Sequence, residues 1–411
     1  MKRNLTPPIG VKLWSWILIL GVIPFGFVAS SGAENIEDLS ALIGNKDAIL
    51  VADAQDKILF AKNENKKLVP ASILKLFTSL AALHYLGPNY RFVTEFYLTG
   101  ESSLKIKGYG DPLLISEVVK IISRHLAAKL NSSEKLTDLV LDSSYFSHPL
   151  VIPGITSSSE PYDAPNGALC VNFNTVYFKR TKNGYVSAEP QTPLLPFAVK
   201  KIKSSNLNQG RIVFTHNQDE ISIYAGKLFQ YFLKQNGIEF SGSINIGKVD
   251  PQTDHLILRY VSSFSLEQII AKLLEYSNNF TTNQLLITCG IKAHGTPGTL
   301  TKGVAAASSY AREVLNLEGL TIVEGSGISR RNRVTASHMH KILDRFAPYR
   351  HLMLRQNNEF YKTGTLRNIN TRAGYIQNKN GELYRYVVMF NTPGKSTQPI
   401  MKRLLPIIDE H

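Results

Sequence analysis

Residues 72–86 constrain the fold of this chain more than any other stretch. Pro70 stands just before them and Gly87 and Pro88 just after, so one helix of about four turns is both started and stopped here. Ile73, Leu74, Leu76, Phe77, Leu80, Ala81 and Leu83 surround nearly the whole turn, which predicts burial on most sides rather than along one stripe. Such a helix needs other elements packed around it, and the rest of the sequence supplies them. Residues 48–52 and 57–61 are short β-rich runs separated by Asp53, Ala54, Gln55 and Asp56, the pattern of a hairpin. Residues 371–377 and 383–391 form a second such pair, joined by Asn378-Lys-Asn-Gly381. A further helix is predicted from Ser265, where Leu266, Ile269, Ile270, Leu273 and Leu274 mark an apolar stripe.

Between these regions the texture changes to alternating strands, turns and polar stretches. The expected organisation is therefore residues 34–90 and 251–411 as two parts of one mixed α/β domain, with residues 91–250 inserted as one or two β-rich units. Residues 1–33 stand apart: Lys2, Arg3 and Lys12 accompany the apolar run 13–29, and Ser31, Gly32 and Ala33 follow. With Pro24 inside it the run reads as a signal peptide, cleaved after Ala33, rather than a membrane span. That segment holds three cations and no acid, which leaves 43 against 32 and a net charge of +11 on the remainder. Lys and Arg are scattered, without a tract dense enough for a nucleic-acid arm, so the charge predicts weak attraction to an anionic membrane or wall surface. Cys170 and Cys289 could oxidise in an exported chain, but Cys289 lies in the apolar run Leu285-Leu-Ile287, where a buried free thiol is preferred.

Three short patterns arrive in order: Ser72-Ile-Leu-Lys75, Ser277-Asn-Asn279 and Lys362-Thr-Gly364. A serine hydroxyl is a weak nucleophile until a base takes its proton, and residues three apart on a helix share a face, so Lys75 can reach Ser72. Lys75 can act as a base only when neutral, and burial together with a second cation, Lys362, pushes it that way. Ser277 extends the proton path toward a leaving amine, Asn279 holds an amide, and Lys362 faces a substrate carboxylate. Gly364 is expected to leave room for a peptide along the strand edge, and the backbone amides of Ser72 and Thr365 are candidate donors to an oxyanion. Each pattern alone is uninformative: Ser102 to Lys105 and Ser132 to Lys135 repeat the first, Ser204 to Asn206 the second, and Lys182 and Lys379 each begin Lys-Asn-Gly. Order and context separate the chosen set. Metal chemistry finds no support, since the ten histidines are scattered and His338 and His340 are expected on a solvated face. Gly325-Ser-Gly327 reads as a tight glycine loop, and Gly108-Tyr-Gly110 as a turn.

The resemblance extends beyond the triple. Leu68-Val-Pro-Ala-Ser72-Ile-Leu-Lys75-Leu-Phe-Thr78, Gly108-Tyr-Gly-Asp-Pro112, Tyr162-Asp-Ala-Pro165, Glu324-Gly-Ser-Gly-Ile-Ser-Arg-Arg-Asn-Arg-Val-Thr335 and Lys362-Thr-Gly-Thr-Leu366 with Ala373-Gly-Tyr375 resemble segments of class C low-molecular-mass penicillin-binding proteins, over residues 36–395. That resemblance implies a β-lactamase/transpeptidase-like domain, an antiparallel sheet flanked by helices and interrupted by the insertion. It implies a serine-type D-alanyl-D-alanine carboxypeptidase or D,D-endopeptidase acting on peptidoglycan stems through an acyl-enzyme on Ser72, with penicillin as an acylating ligand and no cofactor or metal. Thr363, Gly364 and Thr365 would then line the substrate. Two departures stand out: the stretch from Ser72 to Ser277 is short for the family, and residues 157–160 offer three serines and Glu160 where some members place an acid. The alternatives are a catalytically idle wall-binding protein of the same fold, against which the intact Ser72, Lys75, Ser277, Asn279 and Lys362 argue, and a β-lactamase, for which no deacylating base is identifiable.

Overall fold

The computed structural model describes residues 36–130 and 136–410. The expected signal segment 1–33 and the repeat of the first pattern at Ser132 to Lys135 lie outside the described residues. The chain opens on a hairpin of β1 (Asp47–Ala52) and β2 (Ile58–Lys62), paired antiparallel with a register shift at Val51/Ala52. Its turn is held by the Asp53 carboxylate, which accepts from the amides of Gln55 and Lys57 at 3.0 and 2.9 Å. After one 3-10 turn at Ala71–Ile73 comes α1 (Leu74–Leu86), whose residues 74–83 are all buried. It ends at Gly87, whose φ of 83° lets its N–H close on the Leu83 carbonyl.

The stretch 91–250, expected as a β-rich insertion, carries helices as well as strands. It holds β3 (Val93–Leu98), β4 (Leu104–Gly108), α2 (Ser116–Lys129), β5 (Leu139–Asp142), β6 (Thr175–Thr181), β7 (Gly184–Ser187), α3 (Pro196–Ser204), β8 (Gln209–Val213), α4 (Gln218–Lys234) and β9 (Ile244–Ile246). Then β10 (His255–Val261), past residue 250, pairs with β3 and completes a five-stranded sheet ordered β10-β3-β4-β5-β9. The helices have two causes. β4, β5 and β9 run parallel, and parallel neighbours need a long crossover, which α2 provides between β4 and β5. α4 carries Ala225, Leu228, Phe229 and Phe232 on one buried face, where they meet Phe96, Ile106 and Leu141 in a second core. β7, β6 and β8 make a small separate antiparallel sheet.

The chain then returns to the first core through α5 (Leu266–Tyr276), α6 (Asn279–His294), α7 (Leu300–Ser309) and α8 (Ala336–Phe346). Ser265 and Gln268 form a capping box at the start of α5, and its predicted stripe is buried. Strands β11 (Leu354–Gln356), β12 (Glu359–Leu366), β13 (Ile369–Gln377) and β14 (Leu383–Phe390) follow, and α9 (Gln398–Glu410) closes the described chain. The main sheet is ordered β11-β12-β13-β14-β1-β2 and is antiparallel throughout. Strand alternation divides its residues between two layers: Ala48, Leu50, Val387 and Met389 face the core with α1, while Ile49, Val51, Tyr386 and Val388 meet Ile400, Leu404 and Ile408 of α9. The result is an antiparallel sheet flanked by helices in a mixed α/β chain, as expected.

Helix α8 corrects one expectation. His340 is buried rather than solvated, with Nε2 3.2 Å from Asp56 Oδ1, because it shares the apolar face of Ala336, Met339 and Leu343. His338 is half-buried and takes part in the cap of the same helix by accepting from the Thr335 amide. Cys170 and Cys289 are free and buried, and burial pushes the Cys289 thiol up to about 12. Among the described residues no helix is long and apolar enough to cross a membrane.

Candidate active site

The turn that carries Ser72 is strained and held from three sides. Ala71 has a φ of 50°, a left-handed conformation costing a non-glycine residue about 1–2 kcal/mol. On one side the Asn391 side chain accepts from the Val69 amide at 2.9 Å and donates to the Val69 carbonyl at 3.1 Å. On the second, the Thr371 hydroxyl donates to the Pro70 carbonyl at 2.7 Å. On the third lie two glycines. A Cβ on Gly327, itself at φ 84°, would stand 1.9 Å from the Ala71 carbonyl oxygen, and one on Gly364 would stand 2.7 Å from the Ser72 amide nitrogen. Gly364 is thus required by the nucleophile turn itself packing against β12, where the sequence suggested room for a bound peptide. The same stretch of the strand also has a free edge: β11 pairs only with Glu359, Phe360 and Tyr361, so residues 362–366 have a strand partner on the β13 side alone among the described residues.

Lys75 is fully buried, and its Nζ lies 2.9 Å from Ser72 Oγ, 2.8 Å from Asn279 Oδ1 and 2.7 Å from the Ser326 carbonyl. Burial holds its pKa well below the ordinary lysine value, the Lys362 ammonium lowers it further, and Glu324 pulls weakly the other way. A neutral amine has two N–H donors and one lone pair. The Asn279 oxygen faces Lys75 because its amide nitrogen donates to the Tyr162 carbonyl at 3.2 Å, and a carbonyl such as that of Ser326 only accepts. Of these three partners among the described residues only Ser72 can donate, so the lone pair of neutral Lys75 points at the serine hydroxyl. Lys362 is also buried, which lowers it to about 8, and its Nζ donates to the Thr363 carbonyl at 3.1 Å.

Ser277 and Asn279 reach this region through the two-residue junction between α5 and α6. Ser277 caps α5 in the left-handed conformation, φ 53°, and the Asn278 carboxamide oxygen accepts from the Thr281 amide at 2.8 Å to start α6. Asn279 is thereby delivered to Lys75, whereas Ser277 makes no hydrogen bond to Lys75 and lines a neighbouring cavity of about 560 Å³. Thr363 and Thr365 lie on β12 opposite Arg372 and Asn370, Thr365 exposed and Thr363 half-buried.

Two features escaped the sequence. Glu324, fully buried, accepts from the backbone amides of Ser326, Gly327 and Ser329 at 2.7, 2.8 and 3.2 Å and from the side chains of Ser326, Asn283 and Asn332. It folds the glycine loop so that the Ser326 carbonyl meets Lys75 and Gly327 meets Ala71. An acid directly before Gly-Ser-Gly was the available signal. The second is Asp163, buried and bound by the hydroxyls of Thr156 and Ser158 at 2.6 and 2.5 Å, while Glu160 is exposed.

Comparison with known proteins follows the same lines. The D-Ala-D-Ala carboxypeptidase 3 (S13) family matches residues 29–218 and 208–355. A D-alanyl-D-alanine carboxypeptidase of Actinomadura sp. is 24% identical across 89% of this chain and 83% of its own length. The crystal structure of penicillin-binding protein 4 from Haemophilus influenzae superposes with a TM-score of 0.72 at 19% identity, covering 92% of this chain and 99% of that one. A penicillin G-acylated predatory endopeptidase from Bdellovibrio bacteriovorus, solved with its immunity protein, gives 0.50 at 18% identity over 88% and 92%.

Proposed function

Because the chain belongs to the D-Ala-D-Ala carboxypeptidase 3 (S13) family, we propose that it hydrolyses D-alanyl-D-alanine peptide ends of peptidoglycan through an ester on Ser72, and that β-lactams acylate the same oxygen. The observation that carries this reading is the cage around Lys75, which leaves its lone pair a single donor, Ser72. In the acylation step Ser72 Oγ attacks the carbonyl carbon and its proton passes to Lys75 Nζ. As the C–N bond breaks, that proton moves to the departing nitrogen, with Ser277 at the exit side of the site. Water then cleaves the ester, Lys75 again taking the proton, and Ser72 is restored. The negative oxygen of each tetrahedral intermediate is assigned to the backbone amides of Ser72 and Thr365, a reading supported by the packing of Gly364 against the Ser72 amide.

Lys362 meets the substrate carboxylate, and its lowered pKa leaves most of it charged at neutral pH. Thr363, Gly364 and Thr365 lie where, among the described residues, β11 leaves the outer edge of β12 unpaired beyond Tyr361, and along that edge a peptide can add as a further strand. The signal-like pattern of residues 1–33 and the net positive charge support action outside the cytoplasm, near anionic wall or membrane surfaces. The test is labelling with fluorescent penicillin followed by release of D-alanine from a pentapeptide. The wild type is expected to do both and Ser72→Ala neither; a label that survives Ser72→Ala removes the serine from the reaction.

A further inference from the structure

Three glutamates are buried among the described residues. Glu95 and Glu359 pair with Arg259 and Arg372, whereas Glu324, with no exposed surface at all, has no ion-pair partner among the described residues. Its charge is set by hydrogen bonds instead. Oε1 accepts from the amides of Gly327 and Ser329 and from Asn332 Nδ2, at 2.8, 3.2 and 2.6 Å. Oε2 accepts from the amide and hydroxyl of Ser326, both at 2.7 Å, and from Asn283 Nδ2 at 3.2 Å. Both asparagines are oriented by their own oxygens, which accept from the amides of Val323 and Gly325 at 2.9 and 2.8 Å. Five of the six partners are N–H groups, which only donate, so both oxygens are saturated and the group stands as a carboxylate.

One peptide group joins that carboxylate to Lys75. The Gly327 N–H donates to Glu324, and the carbonyl of the same peptide, that of Ser326, accepts from Lys75 Nζ at 2.7 Å. An N–H held by an anion pushes electron density onto its carbonyl oxygen, which becomes a stronger acceptor. Two helices keep this unit in place. α1 supplies Lys75 and, three residues on, Thr78, whose hydroxyl donates to the Gly325 carbonyl at 2.7 Å. α6 supplies Asn279 to Lys75 and, one turn later, Asn283 to Glu324. The charged groups that bear on Lys75 are Lys362, which disfavours its ammonium, and Glu324, which favours it and is the smallest influence after burial and Lys362.

We propose that Glu324 is a positioning residue for acylation: through the Ser326–Gly327 peptide it holds Lys75 with its lone pair on Ser72 and stabilises the ammonium that forms when the serine proton arrives. This rests on the Ser72 reaction proposed above. In neutral Lys75 the two N–H bonds are taken by Asn279 and Ser326. When Ser72 Oγ attacks, its O–H bond breaks, an oxygen electron pair forms the bond to the carbonyl carbon, and a third N–H forms on Nζ. The ammonium keeps both acceptors and turns its new N–H toward Ser72 and then toward the departing nitrogen. Lys75 and Lys362 are then both positive, and the Glu324 charge offsets their repulsion. A base oriented by a third group is the general arrangement of an activated nucleophile, here with a peptide group between the two.

The experiment follows the second-order rate of acylation by fluorescent penicillin against pH, for the full chain and its Glu324→Gln and Glu324→Asp variants. Loss of the negative charge makes the Lys75 ammonium less stable. In Glu324→Gln the acid limb, where Lys75 takes up a proton, therefore moves to lower pH by roughly 0.5–1 pH unit. The plateau falls about 100-fold, the lower end of what a positioned base contributes. Glu324→Asp keeps the charge one methylene further from the Gly327 amide, so its limb and plateau are expected between those of wild type and Glu324→Gln. A role confined to folding the loop lowers the plateau in both variants and leaves the limb in place, and that result overturns the inference. So does a Glu324→Gln plateau within about twofold of wild type. If Glu324→Gln does not melt cooperatively, the Glu324→Asp limb decides: a smaller shift to lower pH upholds the inference, and a limb at the wild-type position overturns it. A labelled wild type whose variants keep the limb overturns this inference alone, and a wild type that takes no label overturns the Ser72 reaction with it.

Discussion

Replacing Lys362 by arginine separates the charge of that residue from its proton. Burial lowers Lys362 to about 8, so it is half charged at pH 8 and about one-tenth charged at pH 9, each further unit removing another factor of about ten. If its positive charge meets the carboxylate of the ligand, the second-order rate of acylation by fluorescent penicillin falls with that slope above pH 8. An arginine stays charged over the whole range. Lys362→Arg is therefore expected to start from a lower plateau, because a planar fork replaces a point charge, but to show no decline between pH 8 and about 10. The cation that helps keep Lys75 neutral persists in this variant, so the acid side of the profile keeps its shape. Stability gives an independent reading. The unfolded lysine titrates near ~10.4, so the unfolded chain binds more protons between pH 8 and that value, and stability rises with pH through the window. The burial penalty is full below pH 8 and absent above about 10.4, with a difference of about 3 kcal/mol. Lys362→Met lacks that rise. The reasoning fails if the arginine variant keeps the alkaline decline, or if the wild-type rate is flat through pH 9.5.

Three other perturbations have definite outcomes. Gly327→Ala places a Cβ 1.9 Å from the Ala71 oxygen at a φ of 84°, and it is expected to destabilise by about 1–3 kcal/mol and, by displacing Ser72, to slow penicillin acylation about 100-fold; an unchanged acylation rate means the turn does not need that approach. Lys75→Met is expected to slow acylation by about 10²–10⁴ while melting cooperatively, and a folded variant that acylates at the wild-type rate excludes Lys75 as the base. Arg372→Met strands the buried Glu359, which now accepts from Arg372 Nε at 2.8 Å and Nη2 at 2.5 Å; chemical denaturation should report a loss of about 3–5 kcal/mol, and a loss under ~1 kcal/mol refutes the pairing argument.

What could be read in advance was local. Ser72 to Lys75 are three residues apart on one turn, the hairpins at residues 48–61 and 371–391 carry their own turn residues, and Ser265 with Gln268 announces α5. What could not be read depends on approach between distant segments. Gly364 looks like any strand glycine until Ser72 lies against it, and Glu324 looks like a loop acid until six donors converge on its carboxylate. His340 looks polar, yet position 340 of an amphipathic helix faces inward whatever occupies it. The stretch 91–250 looks β-rich because its strands alternate visibly, while the buried face of α4 and the return of β10 to β3 are set by a sheet the local pattern does not reveal.

The order in which the chain is made has a consequence for the serine. Ser72 and Lys75 are synthesised early, but the Lys75 cage closes on Asn279 and Ser326, which lie 204 and 251 positions later. The sheet beneath them is locked by Asn391 binding Asp47 across 344 positions. At ~5–20 residues per second those partners arrive about ten to fifty seconds after the nucleophile. Until then the serine has no oriented base, and closing contacts of such long range is slow in itself. A chain cut short before Ser326 therefore carries a serine without its oriented base.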